Sequence, residues 1–294
     1  MADASSPAEI LAPPSDGVTS LRFAHAGNKS HLLVSSWDAV LRVYEGVKLR
    51  AKVETDAPLL ACAFGGADSE AFAGSLDGRV LQADLSTRQT RVLGSHAAAV
   101  RHTEYTKEYG LLVSGGWDGA VKLWDIRSAQ GAQLHTVHCG AKVFGMDLRS
   151  HLLVVATSAR RHAVYDLRNV ATPLLEKESP LKFQTRCVRV MPNLRGFALS
   201  SIEGRVALEY WDDSHAVDDA RSYAFKCHRE KVESETRIYP KRISHLPKFP
   251  TSIAALDFNH DGSVLAVASS YTYEEGEKDH PNDAIFLHAV QPNQ

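Results

Sequence analysis

LLVSGGWDGAVKLWD, residues 111–125, is the stretch of sequence that decides the fold. It contains a short apolar strand, a tight turn at Asp-Gly and a second strand that ends in Trp-Asp. Asp-Gly between apolar strands is a strong hairpin signal, because glycine accepts the positive φ that such a turn requires. The stretch therefore predicts a β-hairpin that ends at Trp124-Asp125.

The same pattern recurs along the chain with a period of about forty residues. An aromatic or apolar residue followed by an acid occurs five times, at intervals of 39, 41, 41 and 46 residues: Tyr44-Glu45, Ala83-Asp84, Trp124-Asp125, Tyr165-Asp166 and Trp211-Asp212. A sixth unit is PTSIAALDFNHDGSVLAVASS followed by AIFLHAV. Such units of short strands, two of which end in Trp-Asp, resemble the WD-repeat β-propeller. We predict an all-β propeller of six recognisable blades over residues 18–290.

The regular spacing breaks after the fifth unit. About 75 residues separate Trp211-Asp212 from the matching position near Leu287-His288, which is too long for one blade. The polar insertion YTYEEGEKDHPND occupies part of this interval, which leaves it too short for two blades. Residues 1–17 are rich in Ala, Pro and Ser and are predicted to be a disordered tail, with a second short tail at 291–294.

Composition excludes several classes of function. The chain has 294 residues, of which 44% are hydrophobic, and a formal net charge of −2, so we expect a soluble globular protein without global attraction to nucleic acid or anionic lipid. No apolar run approaches the roughly 18 residues of a membrane helix, and the N-terminus lacks the features of a secretory signal. The cysteines match no CxxC spacing and are predicted to be reduced core residues of a cytosolic or nuclear protein: Cys62, Cys139, Cys187 and Cys227.

Motifs of catalysis and metal binding are absent from the sequence. We find no GxxxxGK[ST] phosphate loop, no GxGxxG after a strand, no HExxH and no GxSxG nucleophile elbow. The nearest metal-ligand clusters are His138-Cys139 and Cys227-His228, but adjacent strand residues point to opposite faces and cannot chelate one ion. We therefore expect no catalytic residue, no metal and no cofactor.

Four polar or aromatic residues of the third unit match a hydrogen-bonded network of WD-repeat blades. His96 near the blade start, Ser114 on a strand, the turn Asp118 and the terminal Trp124 fall at the places where the family has these partners. Such a network offsets the desolvation cost of buried polar groups, so we expect a structural role. The alternative is a Ser-His-Asp catalytic arrangement, which would make the chain a hydrolytic or substrate-receptor propeller.

Four other residues are unusual for their positions and form a candidate binding surface. Trp37 and Trp117 stand in hairpin turns beside the turn Asp, and such turns open on one flat face of a propeller. Arg205 follows a turn two blades on, and Lys226 ends a strand near the same face. Two aromatics and two cations have the composition of a hot spot for an acidic, partly apolar peptide. The alternative is that the tryptophans pack sideways on neighbouring blades and the cations are solvated.

Several segments resemble one WD-repeat family in particular. SPLKFQTRCVRV, SSIEGRVALEY, YAFKCHR and PTSIAALDF are similar to the mitotic checkpoint family Bub-three, and the resemblance runs from about Val18 to Val290. The paralogous mRNA export factor family, Rae-one or Gle-two, shares the SIEGRV and FKCH stretches and remains the alternative. SSWDAVLRVY, the run Phe183 to Cys187 and the acidic insertion before His280-Pro281 favour the checkpoint family.

The resemblance implies a non-catalytic adaptor of the nucleus, and of the kinetochore in mitosis. In that family one flat face holds the Glu-containing Gle-two-binding sequence of checkpoint kinases and kinase-like proteins. It docks them on phosphorylated Met-Glu-Leu-Thr repeats of a kinetochore scaffold and supports the assembly that inhibits the anaphase-promoting complex. It implies that Arg205 pairs with a peptide glutamate, that Trp37 and Trp117 are face aromatics and that Lys226 is a phosphate-reading cation. No membrane or direct nucleic-acid partner is expected.

The family has seven blades, and this chain departs from it. After Tyr239-Pro240 the sequence continues at Lys241 with residues that match the link to the seventh blade, so about 30 residues, most of one blade, are missing. A six-bladed ring would have to tighten at every boundary, whereas an open wedge would leave strand edges exposed. Because the lost blade can carry cations of its own, we expect phosphopeptide reading to be more affected than binding of the Glu-containing segment.

Overall fold

The computed structural model describes residues 7–24, 31–128, 132–211, 222–227 and 246–290, and the regular elements in these ranges are all β-strands. The described ranges contain twenty-four strands. Their bounds are β1 (Ala8–Glu9), β2 (Val18–Phe23), β3 (His31–Ser36), β4 (Val40–Glu45), β5 (Lys48–Glu54), β6 (Leu59–Phe64), β7 (Glu70–Ser75), β8 (Arg79–Asp84), β9 (Gln89–Ser95), β10 (Val100–Thr106), β11 (Leu111–Gly116), β12 (Ala120–Asp125), β13 (Ala132–His138), β14 (Val143–Arg149), β15 (Leu152–Thr157), β16 (Arg161–Asp166), β17 (Leu175–Glu178), β18 (Thr185–Val190), β19 (Gly196–Ser201), β20 (Arg205–Tyr210), β21 (Tyr223–Lys226), β22 (Ile253–Phe258), β23 (Val264–Ser269) and β24 (Ala284–Ala289).

The strands form six four-stranded antiparallel sheets, which we number as blades 1 to 6 in chain order. Blades 1 to 5 are each four consecutive strands, from β2–β5 to β18–β21. Blade 6 consists of β22, β23 and β24, with β1 as its outermost strand. The prediction of an all-β propeller with six blades is confirmed.

Hairpin turns between the second and third strands fall where the sequence pattern places them. Gly78, Gly119 and Gly204 occupy these turns at φ of 91°, 76° and 74°. In blade 1 the same position is Ala39, at φ 62°, a left-handed conformation that disfavours a side chain with Cβ. The turn of blade 1 is therefore held in a strained backbone conformation by its surroundings.

The core lies between blades, where the sheets pack face to face. At the boundary of blades 1 and 2, for example, one buried cluster joins Leu33, Leu41 and Val43 of blade 1 to residues of blade 2. Those residues include Leu59, Cys62 and Phe64 of the first strand β6, and all six are at most 4% exposed. Each blade thus stabilises the next through apolar side chains on alternate strand positions.

Residues 7–17 are part of the fold, which corrects the prediction of a disordered tail over 1–17 where the structure describes it. Ala8 and Glu9 pair with β24, and the Ile10 amide donates to the Ile285 carbonyl at 2.9 Å. Ile10 is 2% exposed, and the buried Tyr44 hydroxyl donates to the Ala12 carbonyl at 2.8 Å. The first and last strands, β1 and β24, therefore pair, and β1 supplies the fourth strand of blade 6. Residues 1–6 and 291–294 lie outside the described ranges.

Among the described residues, the ring of blades is open between blade 5 and blade 6. First strands pack against one another in five successive pairs, from β22–β2 through β14–β18. Among the described residues β18 and β22 do not pack in this way, although Arg186 Nη2 donates to the Ala254 carbonyl at 3.5 Å. Ile253, Leu256 and Phe258 of β22 are 39%, 49% and 55% exposed. Of the two arrangements considered for a ring that lacks a blade, the structure therefore shows the open wedge. The deletion point at 240–241 lies outside the described residues.

The cysteines differ from the prediction that all four are core residues. Cys62 is buried, Cys139 is half-buried, and Cys187 and Cys227 are exposed; all four are free thiols. The free-thiol state agrees with the lack of disulfide spacing. Burial raises the pKa of the Cys62 and Cys139 thiols to about 11, which keeps both protonated at neutral pH.

Candidate functional site

One flat face of the propeller, which we call the turn face, carries the turns between the second and third strands of every blade. First strands begin on this face, so it also surrounds one mouth of the central channel. Trp37 lies on it in blade 1, Trp117 in blade 3, and Arg205 and Lys226 in blade 5. The structure thus places all four predicted binding residues on one face, with the tryptophans and the cation pair on alternate blades.

Trp37 is the exposed aromatic of this face, at 42% exposure. Its amide donates to the Gly17 carbonyl at 3.0 Å, and its ring packs so closely that a Cβ on Gly17 would lie 3.3 Å from Cδ1. The next residue, Asp38, forms a largely buried ion pair with Arg42 at 2.7 Å. Burial alone would raise the pKa of Asp38, but hydrogen bonds from Arg42, Ser36 and the Ser15 amide lower it to about 2. This ionised turn presents Trp37 to solvent.

Trp117 is less exposed than the sequence suggests. The ring is half-buried, and Lys142 Nζ of the neighbouring blade lies 5.8 Å from its centroid, within cation–π range. The Trp117 indole N–H is buried and has no acceptor among the described residues. Part of the sideways packing that we considered as the alternative is therefore present at Trp117, whereas Trp37 is open to a ligand.

Arg205 and Lys226 are direct cross-strand neighbours in blade 5. The two residues pair in the antiparallel register of β20 and β21, so their side chains leave the same side of the sheet. Cβ atoms of such pairs lie about 5 Å apart, and like charges at that spacing repel each other. Arg205 Nε contacts Glu203 Oε2 at 3.3 Å, which offsets part of the repulsion. An anionic ligand group would offset more of it.

Equivalent arginines in two other blades also have acidic partners, but neither faces a second cation across the strands. Arg79 begins β8, as Arg205 begins β20, and contacts Asp77 at 2.7 Å and Asp56 at 3.1 Å. Arg161 begins β16 and contacts Glu176 at 2.8 Å. Only blade 5, among these three, sets a second cation opposite the arginine. The cross-strand pair of cations therefore distinguishes blade 5 from blades 2 and 4.

His96, Ser114, Asp118 and Trp124 meet in one hydrogen-bonded chain beside the turn of blade 3. The Trp124 indole donates to Ser114 Oγ at 2.8 Å, and Ser114 Oγ lies 2.8 Å from His96 Nε2. His96 Nδ1 lies 3.0 Å from Asp118 Oδ1, which assigns the proton to Nδ1. Burial lowers the pKa of His96 despite Asp118. The chain of bonds is enclosed, since the His96 side chain is 0% exposed.

The central channel holds cations that the sequence reasoning missed. It is a cavity of about 870 Å³ lined by first strands, and Arg101 and Arg186 stand at its mouth on the turn face, one residue into β10 and β18. Arg101 Nη1 donates to the Leu60 carbonyl at 2.9 Å. Burial, with Arg186 and Arg22 nearby, lowers the pKa of Arg101 to about 10. A charged residue at the second position of the first strand, which recurs in blades 3 and 5, is the signal that could have revealed them.

Two searches over the described ranges concern metals and membranes. No three His, Cys, Asp or Glu side chains of the described residues converge so that they could hold a metal ion. The described part of the chain also contains no helix long and apolar enough to span a membrane.

Comparison with known proteins agrees with the architecture. Residues 87–125 match the WD domain, G-beta repeat family, a stretch that includes His96, Ser114, Asp118 and Trp124. The chain is 41% identical to mitotic checkpoint protein BUB3.1 of Arabidopsis thaliana, over 96% of this chain and 92% of the relative. It is 40% identical to mitotic checkpoint protein bub-3 of Caenorhabditis elegans, over 95% and 93%. The chain belongs to the Bub3 family.

Similarity to the export factors is lower but also spans the chain. The mRNA export factor GLE2 of Chaetomium thermophilum is 30% identical over 99% of this Bub3-family chain and 92% of its own length. The alignment with the Arabidopsis Bub3 protein occupies 317 positions, more than the 294 residues available, so it requires gaps in this chain. Internal gaps are what the loss of most of one blade would produce.

Proposed function

We propose that this chain is a non-catalytic adaptor of the spindle assembly checkpoint that binds acidic peptide segments on its turn face. The observation that carries the proposal is the Arg205–Lys226 pair, two cations in cross-strand register on the face that also exposes Trp37. Arginine clamps a carboxylate through two parallel bonds, and an exposed tryptophan buries apolar area on a peptide. Membership of the Bub3 family supports the same function.

The partners follow from this surface and from the family. Arg205 would pair with a glutamate of a Gle-two-binding sequence in checkpoint kinases and kinase-like proteins, while Trp37 and Trp117 hold its apolar residues. Lys226 would attract the doubly charged phosphate of phosphorylated Met-Glu-Leu-Thr repeats in a kinetochore scaffold. Arg101 and Arg186 add positive charge at the centre of the same face. In this role the chain acts in the nucleus and at mitotic kinetochores, and joins the assembly that inhibits the anaphase-promoting complex.

A peptide titration tests the proposal. A fluorescent Glu-containing Gle-two-binding peptide is titrated into the 294-residue protein, Arg205→Glu and the control Arg127→Glu, with thermal unfolding followed for each. Arg127 is exposed and paired with Asp125 at 2.8 Å, at the turn between the third and fourth strands on the opposite face. We expect Arg205→Glu to weaken binding at least about tenfold, or ~1.4 kcal/mol, and the control to bind normally. Equal binding by all three proteins, or none by a cooperatively melting wild type, would reject the proposal.

The alternative is an adaptor of mRNA export at the nuclear pore, which the identity to GLE2 favours. The higher identity to checkpoint proteins supports the first candidate. The two differ in their peptides, so phosphorylated and unphosphorylated Met-Glu-Leu-Thr peptides discriminate between them. Preference for the phosphorylated form, lost in Lys226→Glu, supports the checkpoint role. Binding of a nucleoporin segment without any phosphopeptide preference supports the export role.

A further inference from the structure

Blade 5 and blade 6 each present one sheet face that none of the other described blades packs against. We define the blade-5 open face by Val206, Leu208 and Tyr223, and the blade-6 open face by Ile253, Leu256 and Phe258. In blade 5, Val206 and Leu208 are half-buried, and Tyr223, opposite Leu208 on β21, is 55% exposed. The opposite face of blade 5 is closed, since Val188, Phe197 and Leu199 are at most 1% exposed against blade 4.

The two open faces are the halves of one blade–blade interface. The third strands of blades 1 and 5 correspond position by position. Val206 and Leu208 hold the second and fourth positions of β20, as Leu41 and Val43 do in β4. The equivalent residues in blade 1 are 1% and 4% exposed, because blade 2 covers them. Blade 5 therefore carries the same kind of surface that blade 1 packs against blade 2.

Blade 6 carries the complementary half. Ile253, Leu256 and Phe258 hold the first, fourth and sixth positions of β22, as Leu59, Cys62 and Phe64 do in β6. The three residues of β6 are buried against blade 1 at 0%, 1% and 4% exposure. Their counterparts in β22 are 39% to 55% exposed, because none of the described blades packs against them as blade 1 packs against β6.

We propose that a second copy of this chain occupies these faces, with the blade-5 open face of one copy against the blade-6 open face of the other. The surface that fits each face is that of another WD blade, and the matching surface is present and exposed on every copy. Two large apolar faces in water favour burial at about 25 cal/mol per Å² of apolar area. The contact is heterologous, since each copy uses a different face, and each added copy leaves one face of each kind open.

Head-to-tail association makes a distinctive prediction for single variants. Leu208→Glu disables the blade-5 open face, and Phe258→Glu disables the blade-6 open face, because each buries a charge in the contact. Either variant alone has only one working face and is expected to be monomeric. An equimolar mixture of the two restores one working contact, because one variant supplies each face. It is therefore expected to form a dimer that grows no further.

Sedimentation velocity over a range of concentrations is the test. The wild type is expected to shift to larger species as its concentration rises, as is the control Leu134→Glu, an exposed position on the outer strand β13 of blade 3. Thermal unfolding is followed for each variant, and Tyr223→Glu, at an exposed site of the same face, replaces Leu208→Glu if the latter does not fold. A folded wild type that stays monomeric at every concentration would overturn the proposal. So would single variants that associate like the wild type, or a mixture that stays monomeric.

Discussion

Asp118 is a single residue on which three hydrogen-bond donors of blade 3 depend. It lies 3.0 Å from His96 Nδ1 and accepts from the amides of Ala97 and Ala120, each at 3.0 Å. Asp118→Ala leaves the buried His96 donor unpaired, and each such buried group costs about 1–3 kcal/mol. We expect Asp118→Ala to lower the free energy of unfolding by about 2–4 kcal/mol, measured by urea denaturation.

The matched control for this prediction is Asp77→Ala. Asp77 holds the same turn position in blade 2, but it is exposed and its ion-pair partner is the half-buried Arg79; ion pairs near the surface contribute about 0–1 kcal/mol. If both variants lose equally little stability, the network has no structural role. A catalytic role would instead require turnover that is lost in Asp118→Asn while stability stays unchanged.

His162 is a buried titratable residue between blades 4 and 5. It is 1% exposed, and its ring meets Phe197 edge-on at 5.2 Å. Burial, followed by the charges of Lys177 and Arg161, lowers the pKa of His162 to about 4. The Glu209 carboxylate lies 3.9 Å from Nε2, but it forms an ion pair with Lys177. The imidazole is therefore neutral in the folded protein at neutral pH.

We expect this histidine to make stability depend on pH. The unfolded chain protonates His162 near pH 6.5, whereas the folded chain does so only near pH 4. Neutral His162 therefore contributes fully to the free energy of unfolding above pH 6.5, and this contribution is lost as pH falls towards 4. Between pH 7 and 5 the loss is about 2 kcal/mol. His162→Leu introduces the residue type that Leu41 has at the same position of blade 1, and urea denaturation at the two pH values should then show a difference smaller by this amount. An unchanged difference would contradict the assignment, and the exposed His260→Leu serves as the control.

At the scale of the element, the local sequence pattern predicts the hairpins but does not predict the strand β1. The turn at Gly119 and the strands around it follow from residues within fifteen positions of one another. By contrast, Ala8–Glu9 is a two-residue strand in an Ala- and Pro-rich segment, and its partner is β24, near the other end of the chain. No periodicity can appear in two residues. A pairing at such sequence separation is set by the closure of blade 6, which sequence alone did not reveal.

Ile10 follows β1 directly and anchors it through a buried side chain. Truncation of Ile10 tests whether β1 stabilises blade 6. The side chain is 2% exposed in a cluster with Leu21 and Ala268, so Ile10→Ala removes buried methyl groups from the boundary of blades 6 and 1. We expect a loss of about 2–4 kcal/mol in the free energy of unfolding. The adjacent Leu11 is 59% exposed, and Leu11→Ala should change stability by less than about 0.5 kcal/mol. Equal losses in the two variants would show that β1 does not close the blade.

At the scale of the whole molecule, the sequence predicted the blades, the turn face and the missing blade. It did not predict whether the ring that lacks a blade would close or remain open. The repeats placed Trp37, Trp117, Arg205 and Lys226 at defined positions of their blades. The half-burial of Trp117 depends on Lys142 of the next blade, and the pairing of Arg205 with Lys226 depends on the register of β20 and β21. Both are contacts between distant segments, which a one-dimensional pattern does not contain.

The open boundary should make stability uneven around the ring. Among the described blades, blade 3 is covered on both faces, whereas blade 5 is covered only by blade 4 and blade 6 only by blade 1; blade 6 has the N-terminal strand β1 as its fourth strand. Local opening costs less where fewer apolar contacts are broken, so blade 5 should open first. We expect amides of Gly196–Ser201 to exchange with deuterium faster than those of the equivalent strand Leu111–Gly116, with mass spectrometry of peptic peptides as the readout.

Dilution to concentrations at which the protein is monomeric should enlarge the difference, because a second copy that covers the blade-5 open face would protect it. Equal protection of the two strands in the monomer would mean that the boundary is closed in solution.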